Sequence, residues 1–180
     1  MELSQFFELL DEQVVVKFTG RINVLDQITN QHFGHIFIQE GEFVHITYRQ
    51  HMGQKAFYYL SFDLDEKKRL KIVIEPELLG EVQRNLHYPY AQLKSKVAEA
   101  LQRFRISKKG RPPEHIKLML MPEFIHKGTE ISSTEFDTMC VVSDFNLVRD
   151  IYENTNLLDF EVTDALVSLR QKGAIKVIKP

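Results

Sequence analysis

The sequence predicts an α+β protein: a small antiparallel or mixed N-terminal sheet with flanking helices, a helical linker, and a C-terminal three-helix domain closed by a β-tail. Three observations carry this. The first half holds runs rich in β-branched and aromatic residues, FGHIFI (33–38), FVHITY (43–48) and LKIVIE (70–75), divided by helical stripes. A second region, 81–111, has a helical stripe opposite a basic face. The last third reads as three helices with identifiable start and stop residues. The boundaries drawn from these patterns are 1–80, 81–111 and 112–180.

Leu3, Phe6, Phe7 and Leu10 follow the i, i+3, i+4, i+7 spacing of a helix that leaves Glu2, Glu8 and Glu12 in water. VVVKFTG (14–20) is β-branched and ends in glycine, so it reads as a strand. Ile22, Leu25 and Ile28 then stand at near-helical spacing, with Asn23 as the cap of a short helix. Glu40-Gly41 separates two apolar runs and predicts a two-residue hairpin turn. An uninterrupted register from that turn sets Gln39 opposite Glu42, Ile38 opposite Phe43, Phe37 opposite Val44 and Ile36 opposite His45. His35 and His45 then point to opposite faces, which removes the simplest shared metal or catalytic pair. On that register Tyr48 shares a face with Phe33, His35 and Phe37.

Gly53 ends the hairpin, and Ala56, Phe57 and Leu60 form the next helical stripe. LKIVIE is a strand stopped by Pro76. Residues 77–111 read as helical, interrupted at HYPYAQ, with Pro89 marking a second start. Leu93, Val97, Ala100, Leu101 and Phe104 form its apolar stripe. KKGRPP ends the helix as a linker, and EHIKLMLMPEF is a short apolar connector or strand. Ser132 to Glu135 form a capping box, opening a helix with Phe136, Met139, Cys140 and Val142 inward. A second helix turns Leu147, Val148, Ile151 and Tyr152 inward, and a third Val162, Ala165, Leu166 and Leu169. Gly173 stops the third helix and AIKVI closes as a strand, the outline of a winged-helix domain.

The composition is globular, 43% hydrophobic and 27% charged over 180 residues. A net charge of -2 marks neither nucleic acid nor an anionic membrane as a partner. The single cysteine, Cys140, allows no internal disulfide and no Cys-rich zinc site, and is expected to be a buried small hydrophobe. With no basic n-region at the N-terminus and no apolar run of about 20 residues, a soluble cytoplasmic protein is expected, without membrane insertion. There is no phosphate-binding Gly-rich loop, G-x-S-x-G elbow or H-E-x-x-H. The acidic cluster Asp63, Asp65 and Glu66 lacks the glycine and alternating ligands of a calcium loop. No catalytic residue, cofactor or metal is therefore assigned, and a non-enzyme is expected.

The ordered series FTG…NVLDQIT…FGHIFIQEGEFVHITY…GQKAFYYLSF…LKIVIE resembles the PATAN-type domain of bacterial signalling proteins. The motif positions are Gly34, Ile36, Ile38, Gly41, Phe43, Val44, His45, Gly53 and Ala56. VAEALQRF resembles the family's trailing basic helix, and residues 132–178 its winged-helix-like tail. Departures are Ser143-Asp144 in place of an Asp-Gly turn and Phe136 in place of Trp. The resemblance implies signalling by protein–protein contact and transfers no catalytic set.

Two surfaces follow as candidates. The hairpin and the helix after it offer Glu42, Tyr48, Arg49, Tyr58 and Tyr59 as a protein-binding surface, Tyr and Arg being favoured at binding hot spots. Lys94, Lys96, Arg103, Arg105, Lys108, Lys109 and Arg111, against Glu99 alone, form a basic patch open to an acidic protein, nucleic acid or water. The expected role is a non-enzymatic adaptor contacting another signalling or motility protein, with a homodimer compatible. The alternative is a DNA-binding regulator using the winged-helix tail. It is disfavoured because Asp159, Glu161 and Asp164 at the start of the third helix would repel phosphate.

Overall fold

The computed structural model describes residues 1–126 and 128–178. The chain forms two compact units, Met1–Leu101 and Gln102–Pro180. The division falls inside a helix of the predicted linker, ten residues before the linker's predicted end at 111.

In the first unit, α1 (Leu3–Val15) precedes β1 (Gly20–Asp26), β2 (His32–Gln39), β3 (Glu42–Tyr48), a short β4 (His51–Met52), α2 (Gly53–Asp65) and β5 (Leu70–Pro76). The strands form one antiparallel sheet in the order β4-β3-β2-β1-β5. α2 therefore joins the two edges of the sheet. Its 13 residues span about 20 Å, which matches the four strand spacings, about 19 Å, that it crosses. The crossing buries one face of the sheet. Ile22, Val24, Ile36, Ile38, Ile46 and Tyr48 are fully buried there, as are Phe6 and Leu10 of α1 and Ala56, Phe57 and Leu60 of α2. Phe57 sits 6.4 Å from both Phe6 and Phe43, tying the two helices to the hairpin.

Four sequence expectations in this unit are corrected. Val14 and Val15 complete α1 instead of opening a strand; Lys17 then takes a left-handed φ of 52° and the Phe18 N–H returns to the Gln13 carbonyl at 2.9 Å. The expected short helix over 22–28 is the central strand β1. Ile22 and Val24 alternate inward between β2 and β5, and that two-sided pairing outweighs the weak i, i+3 spacing. Asn23 caps no helix. The turn after β1 is instead closed by Asp26, whose Oδ1 accepts from the Ile28 and Thr29 N–H groups at 2.8 and 2.7 Å.

The third correction decides the chemistry of the sheet. Glu40 and Gly41, at φ 51° and 82°, form the expected turn, and Gln39↔Glu42 and Ile38↔Phe43 pair as anticipated. A bulge then intervenes, so Phe37 pairs with His45, Ile36 with Ile46, His35 with Thr47 and Gly34 with Tyr48. Phe43 and Val44, adjacent and both buried, occupy the bulge. Past it, every β3 residue changes face relative to the uninterrupted register. Tyr48 enters the core, and His45 joins His35.

Residues 77–88 form no helix. Asn85 lies along the free edge of β3: its side chain accepts from the Ile46 N–H at 2.9 Å and donates to the Ile46 carbonyl at 3.0 Å, while its own N–H donates to Val44. The amide thus mimics a strand and closes that edge to further pairing. α3 (Tyr90–Ser107) follows Pro89 and buries Leu93 and Val97.

The second unit contains β6 (Lys117–Leu120), α4 (Pro122–His126), α5 (Ser133–Asp144), α6 (Val148–Glu153), α7 (Asp159–Gln171) and β7 (Ile175–Ile178), with β6 and β7 antiparallel. Its core includes Leu118, Val148, Ile151, Val162, Leu166 and Leu169. The Ser132 capping box forms as expected, and Gly173 stops α7 at φ 75°. The inward face of α5 differs from expectation. Glu135, Thr138 and Val142 are buried, whereas Phe136 and Cys140 are exposed. The capping box turns Glu135 inward, onto Ser168 and Lys172, and that rotation carries the apolar Phe136 outward.

Candidate functional site

The sheet of the first unit has a second face, and its side chains are half-exposed. Arg21, His35, Phe37, His45, Thr47, Val73 and Glu75 project from it, with Asn23 buried among them. The register explains the grouping: Arg21 is opposite Phe37 and Glu75, and Asn23 opposite His35 and Val73. Glu75 Oε2 accepts from Arg21 Nη2 at 2.9 Å and from Asn23 Nδ2 at 2.8 Å. The Arg21 hydrogen bond, aided by Asn23, holds the Glu75 carboxyl below the usual carboxylate range.

Beside this polar group lies an aromatic one. His35 stacks on His45 at 5.6 Å between centroids and 12° between planes, and on His32 at 5.9 Å; Phe37 lies 4.6 Å from His35. Burial pushes the His35 imidazole below its ordinary pKa, and the nearby His45, His32 and Arg21 add to the effect. His45 is fixed by the Gln83 carbonyl, 2.7 Å from Nδ1. Among the described residues, no group of three or more His, Cys, Asp and Glu side chains is arranged to hold a metal ion.

The five residues of the expected protein-binding surface do not form one surface. Tyr48 is fully buried and its hydroxyl donates to Asp63 Oδ2 at 2.7 Å. Burial and the Asp63 carboxylate raise the Tyr48 pKa, so the phenol stays protonated. Arg49 is exposed, 3.0 Å from the same Asp63 oxygen and over the Phe33 ring at 5.1 Å. Glu42 is exposed at the hairpin, 3.3 Å from Arg84. Tyr58 and Tyr59 are half-buried on α2; Tyr58 accepts from Gln54 at 2.5 Å and Tyr59 stacks on His51 at 4.1 Å.

The basic patch is divided among intramolecular partners. Lys94 pairs with Asp11 at 2.7 Å, and this hydrogen bond lowers the Asp11 pKa. Lys96 lies over the Tyr88 ring at 4.8 Å. In the second unit Arg103 pairs with Asp164 at 3.0 Å, and Arg111 with Asp159 at 2.7 Å while covering Tyr152 at 4.2 Å. Lys108 lies over Phe104 at 5.3 Å, and Arg105 and Lys109 are exposed. Two of the three acids that argued against DNA binding by α7, Asp159 and Asp164, are therefore partners of the same patch.

At the end of the open face, where β2 begins and β3 ends, lies a cleft of about 550 Å³. Its polar lining comes from Gln31, His32, His35, Thr47, Arg49 and Gln50, and Phe33 and Gly34 complete it. Of these, sequence reasoning singled out Arg49 alone as a site residue. Arg21, Asn23 and Glu75 were missed with the helix assigned to 22–28; the signal that could have found them is the Ile22/Val24 alternation. Asp63 was set aside as part of an acidic run, though it lies three residues after Leu60 on the buried face of α2. No family model, curated protein or solved structure matches this chain.

Proposed function

We propose that the chain is a non-enzymatic adaptor of bacterial signal transduction, acting in the cytoplasm by contact with another signalling or motility protein. The observation that carries this reading is the one-sided covering of the sheet. α1 and α2 pack on one face, while the other keeps Phe37 and two imidazoles half-exposed beside an ordered Arg21–Glu75 pair. Aromatic rings bordered by a fixed Arg suit a protein interface, since rigid rings lose little entropy on binding and the polar rim supplies register. The contact surface moves accordingly from the hairpin tyrosines to Arg21, His35, Phe37, His45 and Glu75.

The resemblance to PATAN-type domains supports the same reading. Its glycines stand where side chains are excluded: Gly41 and Gly53 have φ 82° and 60°, and a Cβ on Gly34 would lie 2.1 Å from the Thr47 carbonyl. The motif therefore describes a backbone that builds this hairpin. No helix among the described residues is long and apolar enough to cross a membrane. Duplex DNA is the weaker reading, because Asp159 and Glu161 place carboxylates in the first turn of α7, where they would repel phosphate.

The test is affinity capture from the native cell with wild type and Phe37→Asp side by side, read by quantitative mass spectrometry. A partner depleted at least tenfold by the substitution supports the proposal. A protein set that Phe37→Asp leaves unchanged, or no partner at native salt, ends it.

A further inference from the structure

We propose that the cleft between the start of β2 and the end of β3 binds a small phosphate-bearing molecule. This goes beyond the adaptor reading and does not depend on it. The first argument is the chemistry of the lining. Arg49, Gln31, Gln50, Thr47, His32 and His35 all carry N–H or O–H donors, and no carboxylate lines the cleft. With the Arg49 guanidinium as its fixed charge and no carboxylate of its own, such a lining favours an anion over a cation.

The second argument is that Arg49 is held in place. Its N–H donates to the Phe33 carbonyl at 2.6 Å, its Nη2 lies 3.0 Å from Asp63, and its guanidinium covers the Phe33 and Tyr48 rings at 5.1 and 5.5 Å. Asp63 has a second cation, since Lys68 lies 2.5 Å from its other oxygen. Arg49 is therefore not the sole counter-ion of Asp63. Its side chain remains 42% exposed, which leaves donors of the planar fork open to the cleft. A guanidinium fixed from behind and open in front binds an oxyanion with little ordering cost.

Size and shape favour a phosphate ester over a bare ion or a carboxylate. About 550 Å³ falls within the usual ~300–1,000 Å³ of small-molecule sites and far exceeds a single oxyanion. Donors come from both strands and the residues flanking them, Gln31 and His32 at the start of β2 and Thr47, Arg49 and Gln50 at and beyond the end of β3. The three terminal oxygens of a phosphate ester can accept from more of these donors at once than the two of a carboxylate. The stacked His32 and His35 rings offer a flat surface for the organic portion.

The probes are phenyl phosphate, inorganic phosphate, benzoate and benzyl alcohol, titrated into the full chain and followed by amide and imidazole NMR shifts. Saturable shifts confined to residues 31–35 and 47–50 are expected with phenyl phosphate, and weaker ones with inorganic phosphate. Arg49→Gln should weaken phenyl phosphate at least tenfold, and Arg49→Lys should restore some of it. His32→Gln, at an exposed ring that holds no core contact, should weaken it about threefold and keeps the test valid if Arg49→Gln lowers the melting temperature. Shifts that do not saturate, that spread over other basic residues or that survive Arg49→Gln overturn the proposal. So does benzoate or benzyl alcohol binding as tightly as phenyl phosphate.

Discussion

The imidazoles of His35 and His45 lie nearly parallel, 5.6 Å apart, on the open face of the β2–β3 hairpin. Two cations at that separation repel, and His32 and Arg21 approach the same ring from β2 and β1, with Glu75 paired to Arg21. Burial first, and then these positive neighbours, hold the His35 imidazole below its ordinary pKa of 6.5 in the folded protein. Its unfolded form then binds protons first, so this group lowers stability as pH falls below about 6.5, fully so beneath the folded pKa. NMR titration of the ring protons checks this. His45→Gln should raise the His35 pKa, which tests the stacked pair, and a wild-type His35 titrating at or above the ordinary value contradicts its burial on this face.

Tyr48 and Asp63 form a second coupled pair. The buried hydroxyl and carboxylate meet at 2.7 Å, and Arg49 and Lys68 complete the acceptor's partners. Tyr48→Phe removes one hydrogen bond and should cost about 1–2 kcal/mol. Asp63→Ala strands the buried hydroxyl and frees both cations, and should cost about 2–4 kcal/mol. Urea unfolding of the two single variants and the double variant should give a coupling energy of about 1–2 kcal/mol. Additive losses would falsify the contact.

In the second unit, Glu135 accepts from Ser168 Oγ at 2.6 Å, the Ser132 N–H at 2.6 Å and Lys172 Nζ at 2.8 Å. Desolvation alone would raise its pKa, but Lys172, Ser168 and Ser132 together lower it to about 2. The folded value lies below the unfolded one, so the stabilisation is complete above pH ~4.5 and is lost as pH falls towards 2. Screening by nearby solvent limits it to about 2 kcal/mol. Acid unfolding monitored by circular dichroism should show a steeper loss over this window in wild type than in Glu135→Gln.

Gly34 and Gly80 make opposite demands. A Cβ at Gly34 would lie 2.1 Å from the Thr47 carbonyl oxygen and 2.8 Å from Tyr48 Cα, while at Gly80 nothing lies within 4 Å. Gly34→Ala must push β2 and β3 apart and should cost about 2–4 kcal/mol. Gly80→Ala should change the unfolding free energy by less than about 0.5 kcal/mol. Urea unfolding of both variants makes the comparison, and equal effects of the two substitutions would remove the close approach of β2 and β3.

Cys140 is exposed on α5. Labelling by a small thiol reagent at neutral pH should therefore proceed in native buffer at nearly the rate seen in urea. Protection of a hundredfold or more would return Cys140 to the interior that its sequence neighbours suggested.

The legible elements share one property: their signals are local. The Leu3–Leu10 stripe, the Glu40-Gly41 turn, the Ala56–Leu60 stripe, the Ser132 capping box and the Gly173 stop each depend on neighbours within about one or two helical turns. Their side-chain spacing and backbone preferences are written in adjacent residues. The illegible elements depended on segments far along the chain. β1 is a strand because β2 and β5 pair with it from both sides, and within residues 20–26 only the brief Ile22/Val24 alternation hints at it.

The hairpin shows the division most clearly. Alternation alone determines that FGHIFI and FVHITY are strands joined at Glu40-Gly41. It cannot locate an unpaired residue, because a run with Phe43 and Val44 adjacent is consistent with either face pointing inward. Packing against α1 and α2 decided it, by burying both residues and drawing Ile46 and Tyr48 into the core. That shift of one position brings His45 beside His35, seats Tyr48 on Asp63 and leaves Arg49 facing the cleft. Local pattern is enough to set the strands and their turn, whereas burial sets which side chains share a face, because the free energy that selects a bulge comes from the core it fills.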